Sequence, residues 1–393
     1  WLSLAPLVLL TVAVALLFDF YNGINDAANA IATVVATRAL PPWAAVLMAA
    51  AFNFLGAFIG TAVASAVGKG IVNTDVVDTS VILAALLGGL AWTAFATALG
   101  IPISVSHSLI GGLIGAGLAT AGWDGLAEVP PGSMDTTWLH MAWGALGGAL
   151  LLGSTALVRR KNPLWPTVGG AILGSGLWLV VGIATGNVGS MPKLPATLLF
   201  IVYSPIMGFS IAYVSYTLIA RLAYRLPPGP VKHVFRYLQV GSASFYALGH
   251  GTNDAQKTMG VITALLVANG VLATFEVPWD VILMAGTAIG LGTLIGGYKV
   301  VRTMGSRLTH LDTSQGFTAE SSSALSLFFL ANNGVPVSTT HSITGSIMGV
   351  GAVQRVSAVS WGTARRIVAA WIITIPASAV VAALAYWTLG MLL

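Results

Sequence analysis

Twelve apolar runs succeed one another along the chain, at about 4–37, 42–67, 81–99, 103–121, 138–158, 164–186, 195–220, 237–265, 280–301, 317–333, 337–354 and 367–392. A helix needs roughly 20 apolar residues to cross a bilayer. Lipid cannot satisfy backbone polar groups, so each crossing segment must close its own hydrogen bonds. The expected fold is therefore an all-α polytopic membrane protein with about 12 membrane segments and little soluble domain. Composition supports this: 7% of the residues are charged, where soluble domains carry about 25%. Mean hydropathy is +0.87. The absence of cysteine excludes disulfide and thiolate chemistry. The net charge of +5 lies in short loops, so it reads as a topology signal, and no nucleic-acid partner is expected. No cleavable signal peptide is visible, and a chain starting at Trp1 is expected to have lost its natural start.

Two pairs of runs, 81–99 with 103–121 and 317–333 with 337–354, read either as two spans or as one re-entrant hairpin. Both options return the chain to the side it left. Arg38, Arg159–Arg160–Lys161, Arg221/Arg225/Lys232/Arg236, Arg302/Arg307 and Arg355/Arg365/Arg366 then fall on one side, expected to be cytoplasmic. Asp75, Asp78, Asp124, Glu128, Asp135, Glu276 and Asp280 fall on the other, with Lys69 and Lys193 as its basic residues. Both termini come out external.

The chain repeats itself. "NGINDAANAIATV" (22–34) matches "GHGTNDAQKTMGVI" (249–262), with Asn25-Asp26 and Asn253-Asp254 at an offset of 228. "IPISVSHSLIGGLIGAG" (101–117) matches "VPVSTTHSITGSIMGVG" (335–351) at an offset of 234. Three runs separate the halves, and an odd number inverts the second half relative to the first. The expected organisation is a first inverted repeat at 1–121, intervening membrane segments at 122–236, a second inverted repeat at 237–354 and a last membrane segment at 355–393. Inverted repeats with broken helices are typical of secondary transporters, whose sites lie at the repeat interface.

A carboxylate inside a membrane helix is costly and usually functional. Asp26 and Asp254, each in the same motif, are unlike a single polar residue gluing helices together. Gly23, and Gly249 with Gly251, suggest locally broken helices at these motifs. Pro102 and Pro336 stop one helix, and Ser104 and Ser338 suit the N-cap of the next. Ser106, Ser108, Thr339, Thr340 and Ser342 add hydroxyls at those helix N-termini, where a tetrahedral oxyanion can bind without a basic side chain. His107 and His341 either touch the anion or hold the hairpin through a carbonyl. Their spacing is not that of a zinc site. Two N-termini would attract an anion that Asp26 and Asp254 repel. Cations held by Asn25, Asp26, Asn29, Asn253 and Asp254 would relieve the conflict, so that anion binding requires the cation.

These paired "[GT]-x-N-D" and "P-[IV]-S-x-[ST]-H-S" motifs resemble the inorganic phosphate transporter family, over roughly 18–121 and 237–354. The resemblance implies inorganic phosphate as substrate, coupling to sodium or protons, and no further cofactor. Phosphate would be held by Ser104, Ser106, His107, Ser108, Ser338, Thr339, Thr340 and His341; the Lys257 ammonium, one turn from Asp254, would replace one bound cation, pair with Asp254 or touch phosphate directly. The coupling cation would be held by Asn25, Asp26, Asn29, Asn253 and Asp254, with the two aspartates as its metal ligands. Two positions depart from the sodium type: Asn53 stands where an acid is expected, while Glu320 keeps one in the second half, and Lys257 stands where Asn29 stands in the first. Both resemble a bacterial low-affinity branch that moves phosphate, often as a metal–phosphate species, with protons. Proton coupling is therefore slightly favoured over sodium. The expected setting is the inner membrane of a bacterial or archaeal cell, with a homodimer as a further expectation. An anion channel is the alternative of another class. An enzyme is not expected, because no Gly-x-Ser-x-Gly elbow accompanies the Ser–His pairs.

Overall fold

The computed structural model describes residues 4–129, 132–158, 171, 174–177, 181–182 and 192–392. Its helices are α1 (Pro6–Ala36), α2 (Pro42–Gly56), α3 (Ala62–Gly70), α4 (Thr79–Leu99), α5 (Val105–Ala121), α6 (Asp135–Val158), α7 (Lys193–Ala223), α8 (Pro228–Ala268), α9 (Trp279–Ile295), α10 (Tyr298–Ser306), α11 (Thr313–Asn332), α12 (Thr339–Gln354) and α13 (Trp361–Leu392). Among the described residues there is no strand, only an isolated bridge between Val72 and Leu126. α1, α2 and α8 start with proline in the first turn, where its missing N–H costs nothing. Among the described residues five helices (α1, α4, α5 with its 3-10 extension, α7 and α13) are long and apolar enough to cross a membrane, and α9 with α10 makes a sixth if that bent pair is one span. The chain is thus an all-α integral membrane protein. The expected run at 164–186 and the Arg159–Arg160–Lys161 cluster lie largely outside the described residues.

The helix breaks fall elsewhere than the sequence suggests. α1 and α8 run unbroken through both Asn-Asp motifs. Gly23 and Gly251 are instead points of close helix crossing: a Cβ on Gly23 would strike the Ile289 carbonyl and Thr293 backbone of α9, and one on Gly251 would strike the Asn53 backbone of α2. The broken segments are the ones that follow. The run 42–67 divides into α2 and α3 at Gly60, φ +141°, and the run 280–301 divides into α9 and α10 at Gly296, φ +66°. Both are left-handed backbone conformations that glycine adopts without a steric penalty. α9 and α10 meet at a 72° bend.

The packing crosses between the halves. α1 lies along α9 and α10, while α8 lies along α2 and α3. Gly292 of α9 sits against the backbone of Phe20 and Gly23, and Gly56 of α2 against that of Leu248 and Gly251. α5 packs on α13 through Gly111 and Gly115, and α12 packs on α7 through Gly345 and Gly349. Such close approaches are how helices associate in lipid, where there is no hydrophobic drive between them.

Candidate functional site

α1 and α8 bring the two Asn-Asp motifs together at the centre of the molecule, and Asn25, Asp26, Asn29, Asn253, Asp254 and Lys257 are all buried. The connections α4–α5 and α11–α12 deliver the two Ser/Thr-rich tips to the same place. Gly100, φ +69°, and Gly334, φ +65°, turn the chain at the ends of α4 and α11. Ser104 and Ser338 then cap α5 and α12 as expected, accepting from the backbone N–H of His107 at 3.3 Å and of His341 at 3.1 Å.

The second-half tip meets the carboxylates directly, and the first-half tip meets them through Lys257. Thr339 Oγ1 lies 3.3 Å from both Asp26 Oδ2 and Asp254 Oδ2, and Thr340 Oγ1 lies 3.3 Å from Asp26 Oδ2. A hydroxyl has one proton, so Thr339 cannot donate to both carboxylates at once. Tyr246 holds the Thr339 carbonyl at 3.1 Å. His250 reaches in from α8: its Nε2 is 3.3 Å from Asp254 Oδ2 and 3.7 Å from Asp26 Oδ2, and its Nδ1 is 3.0 Å from Asn53 Oδ1. Asp26, His250 and Asp254 each offer a ligand atom within 4.8 Å of the others, an arrangement able to hold a cation. Two carboxylates this close repel by about 3–4 kcal/mol at an effective dielectric of about 20, so a positive charge between them is strongly favoured.

Lys257 supplies one such charge. Its ammonium donates to Asp254, to Ser106 Oγ at 2.6 Å and to the Val337 carbonyl at 2.9 Å. Its three protons are thereby all used. On the first-half side Asn29 donates to Thr340 Oγ1 at 2.9 Å, and Asn25 to Thr97 Oγ1 at 2.8 Å. Several buried oxygens around α1 and α8 have no hydrogen-bond partner: Asp19 Oδ2, Asn22 Oδ1, Asn25 Oδ1, Asn29 Oδ1 and Asn253 Oδ1. Buried polar atoms are normally paired, and the unpaired amide oxygens of Asn25 and Asn29, on either side of Asp26 in the chain, are of the kind a hard cation takes.

The histidines part ways. His107 and His341 pack edge to face, ring centroids 4.4 Å apart. His341 also lies against the Trp371 ring and has Nδ1 3.1 Å from the Ile201 carbonyl, while neither ring nitrogen of His107 has a partner. Ser108 is buried beside them with its hydroxyl unpaired. Asp19 carried the signal of a carboxylate in the first apolar run, and His250 that of its i,i+4 spacing to Asp254, whereas Thr97 and Tyr246 had none until the helices were packed. Glu320 is buried away from the aspartates, accepting from Thr33, Ser242 and, at 3.3 Å, Gln239.

Membrane-capable helices around a buried, charged, two-part polar site define an integral membrane protein built to handle ions. The profile of the phosphate transporter family matches residues 22–150 and 134–382. The chain is 43% identical over 384 residues to a Rhizobium meliloti (strain 1021) protein described as "Probable low-affinity inorganic phosphate transporter", covering 97% of this chain and 96% of that one. A Bacillus subtilis (strain 168) protein of the same description is 35% identical, with 98% of each chain covered. A solved structure, "The sodium-dependent phosphate transporter", superposes with a TM-score of 0.70 at 26% identity, covering 99% of this chain and 100% of that one. This chain belongs to the phosphate transporter family.

Proposed function

We propose that the chain is a secondary active symporter that carries inorganic phosphate across the membrane together with a coupling cation. The observation that carries this reading is the paired site itself. Two capped helix N-termini, suited to an oxyanion, converge on two carboxylates set among unpaired oxygens, suited to a cation. Each ion makes the other's binding favourable, which is thermodynamic coupling. Asp26 and Asp254 take the cation, with Asn25, Asn29 and Asn253 completing its ligands. Ser104, Ser106, Ser108, Ser338, Thr339 and Thr340 face the phosphate oxygens, with His107 and His341 between them.

The repeats 1–121 and 237–354 form the transport core as two inverted halves. The crossed packing of α1 on α9 and of α8 on α2, glycine against glycine, supports that symmetry. The remaining segments complete about twelve crossings, with both termini outside, and alternating access rocks the core against residues 122–236. The coupling cation is a proton or a sodium ion. Lys257, which already fills part of the cation site, and His250 between the carboxylates favour the proton. The unpaired asparagine oxygens favour sodium, and the solved relative is described as sodium-dependent.

Labelled phosphate uptake into proteoliposomes tests this. An imposed sodium or proton gradient should drive phosphate above its equilibrium distribution. Sensitivity to sulfate separates the site from a general anion pore, because carboxylates accept a hydrogen bond from protonated phosphate and not from sulfate. Strong inhibition by sulfate, or uptake that never exceeds equilibration, contradicts the reading.

A further inference from the structure

The two halves of the site make the same hydrogen bond with different chemistry. Asn29 donates to Thr340, and Lys257 donates to Ser106. Asn29 and Lys257 are separated by 228 residues, the offset of the Asn-Asp motifs, and Ser106 and Thr340 by 234, the offset of the Ser-His motifs. Each side chain therefore reaches from its own carboxylate helix to the tip of the opposite half. Only the second half ends that reach in a positive charge.

The partners of that charge are three oxygens of three kinds: the Asp254 carboxylate, the Ser106 hydroxyl and the Val337 carbonyl. A carboxylate, a hydroxyl and a freed carbonyl beside a helix N-terminus form the ligand set that a hard monovalent cation takes in a transporter. The first half presents a comparable set without the ammonium: Asp26, the Thr340 hydroxyl and, on the side chain that stands in place of Lys257, the unpaired Asn29 Oδ1. Because all three N–H groups of Lys257 are engaged, none is left to hold a phosphate oxygen. Lys257 also ties both helix tips to Asp254, which is what an ion at the centre of the site would do.

We infer that Lys257 is a tethered cation, standing permanently in the second-half cation site, so that this transporter carries one fewer coupling ion per phosphate than its own twofold site could hold. The open site of the first half is left to take the ion that travels. This rests on the symport reading above and deepens it.

The test is the coupling stoichiometry of Lys257→Asn, which restores the first-half side chain, measured beside Lys257→Arg, which keeps the charge. In wild-type proteoliposomes, the phosphate gradient held at equilibrium against graded sodium and pH gradients gives the number of ions moved per phosphate. If the wild type accumulates no phosphate against any gradient, the symport reading itself fails, which is a different result from any below. In Lys257→Asn the slope against sodium or against protons is expected to rise by one ion, and Lys257→Arg is expected to keep the wild-type slope. Should Lys257→Asn not transport, equilibrium binding of labelled phosphate to the purified protein provides the same readout. Its apparent affinity is expected to gain about a further tenfold for each tenfold rise in the restored cation, beyond the wild-type dependence. An unchanged slope in both measurements overturns the inference. So does a folded Lys257→Asn that binds no phosphate at any cation concentration, because the lysine would then be a phosphate ligand.

Discussion

The segments around Asn25-Asp26 and Asn253-Asp254 share a frame and differ in their charges. In the frame, Gly23 meets α9 as Gly251 meets α2, and Asn29 reaches Thr340 as Lys257 reaches Ser106. In charge, the first segment adds Asp19, with an unpaired oxygen, and leaves Asp26 to hydroxyls and His250. The second segment places an ammonium directly on Asp254. Two copies of one motif thus hold one carboxylate without an ammonium and one paired with it. The lesson is that matching motifs place matching side chains, while a single substitution, Lys257 for the counterpart of Asn29, changes the charge beside the carboxylate.

The largest expected contrast is between the two carboxylates. Asp26→Asn and Asp254→Asn should each lower phosphate uptake by at least about a hundredfold, equivalent to roughly 3 kcal/mol. Their stabilities should diverge. Asp254→Asn strands a buried ammonium and should destabilise the protein by about 3–5 kcal/mol, whereas Asp26→Asn relieves like-charge repulsion and should cost far less. Thermal unfolding in detergent measures this, and adding Lys257→Met to Asp254→Asn should restore the melting temperature without restoring uptake. Equal losses of stability in the two single variants would break the comparison.

The frame predicts likeness instead. Gly23→Ala and Gly251→Ala each drive a methyl into backbone and should each destabilise by about 1–3 kcal/mol, with similar melting temperatures. Glu320→Gln places an amide among donors from Thr33, Ser242 and Gln239 and should cost about 1–3 kcal/mol in the same assay. The smallest effect separates the two tips. Thr340→Val removes the hydroxyl between Asn29 and Asp26 and, if the travelling ion sits there as inferred above, should raise the cation concentration for half-maximal uptake about tenfold, near 1.4 kcal/mol. Ser106→Ala removes one acceptor of Lys257, so that concentration should shift little.

Much of this was legible in the sequence, for reasons that can be named. The first apolar run and α1 agree within a few residues, since a membrane helix advertises its own length. The motif copies marked Asp26, Asp254 and both capped tips, because a carboxylate in an apolar run and a Pro–Ser step each have a local meaning. The position of the breaks was not legible. Gly23 and Gly60 read alike, yet one permits close approach and the other a left-handed turn, and only the neighbouring helix decides between them. His250 entered the site, and His341 was fixed by Ile201 and Trp371, through partners 140 residues or more away or on other helices.

The central claim is that phosphate movement is tied to a cation through the paired site. Uphill accumulation of labelled phosphate in proteoliposomes, under an imposed sodium or proton gradient, measures that tie directly. Accumulation above equilibrium that collapses when the cation gradient is dissipated, and that is absent in Asp26→Asn, is the expected result. Phosphate that only equilibrates, at a rate indifferent to either gradient, would contradict it.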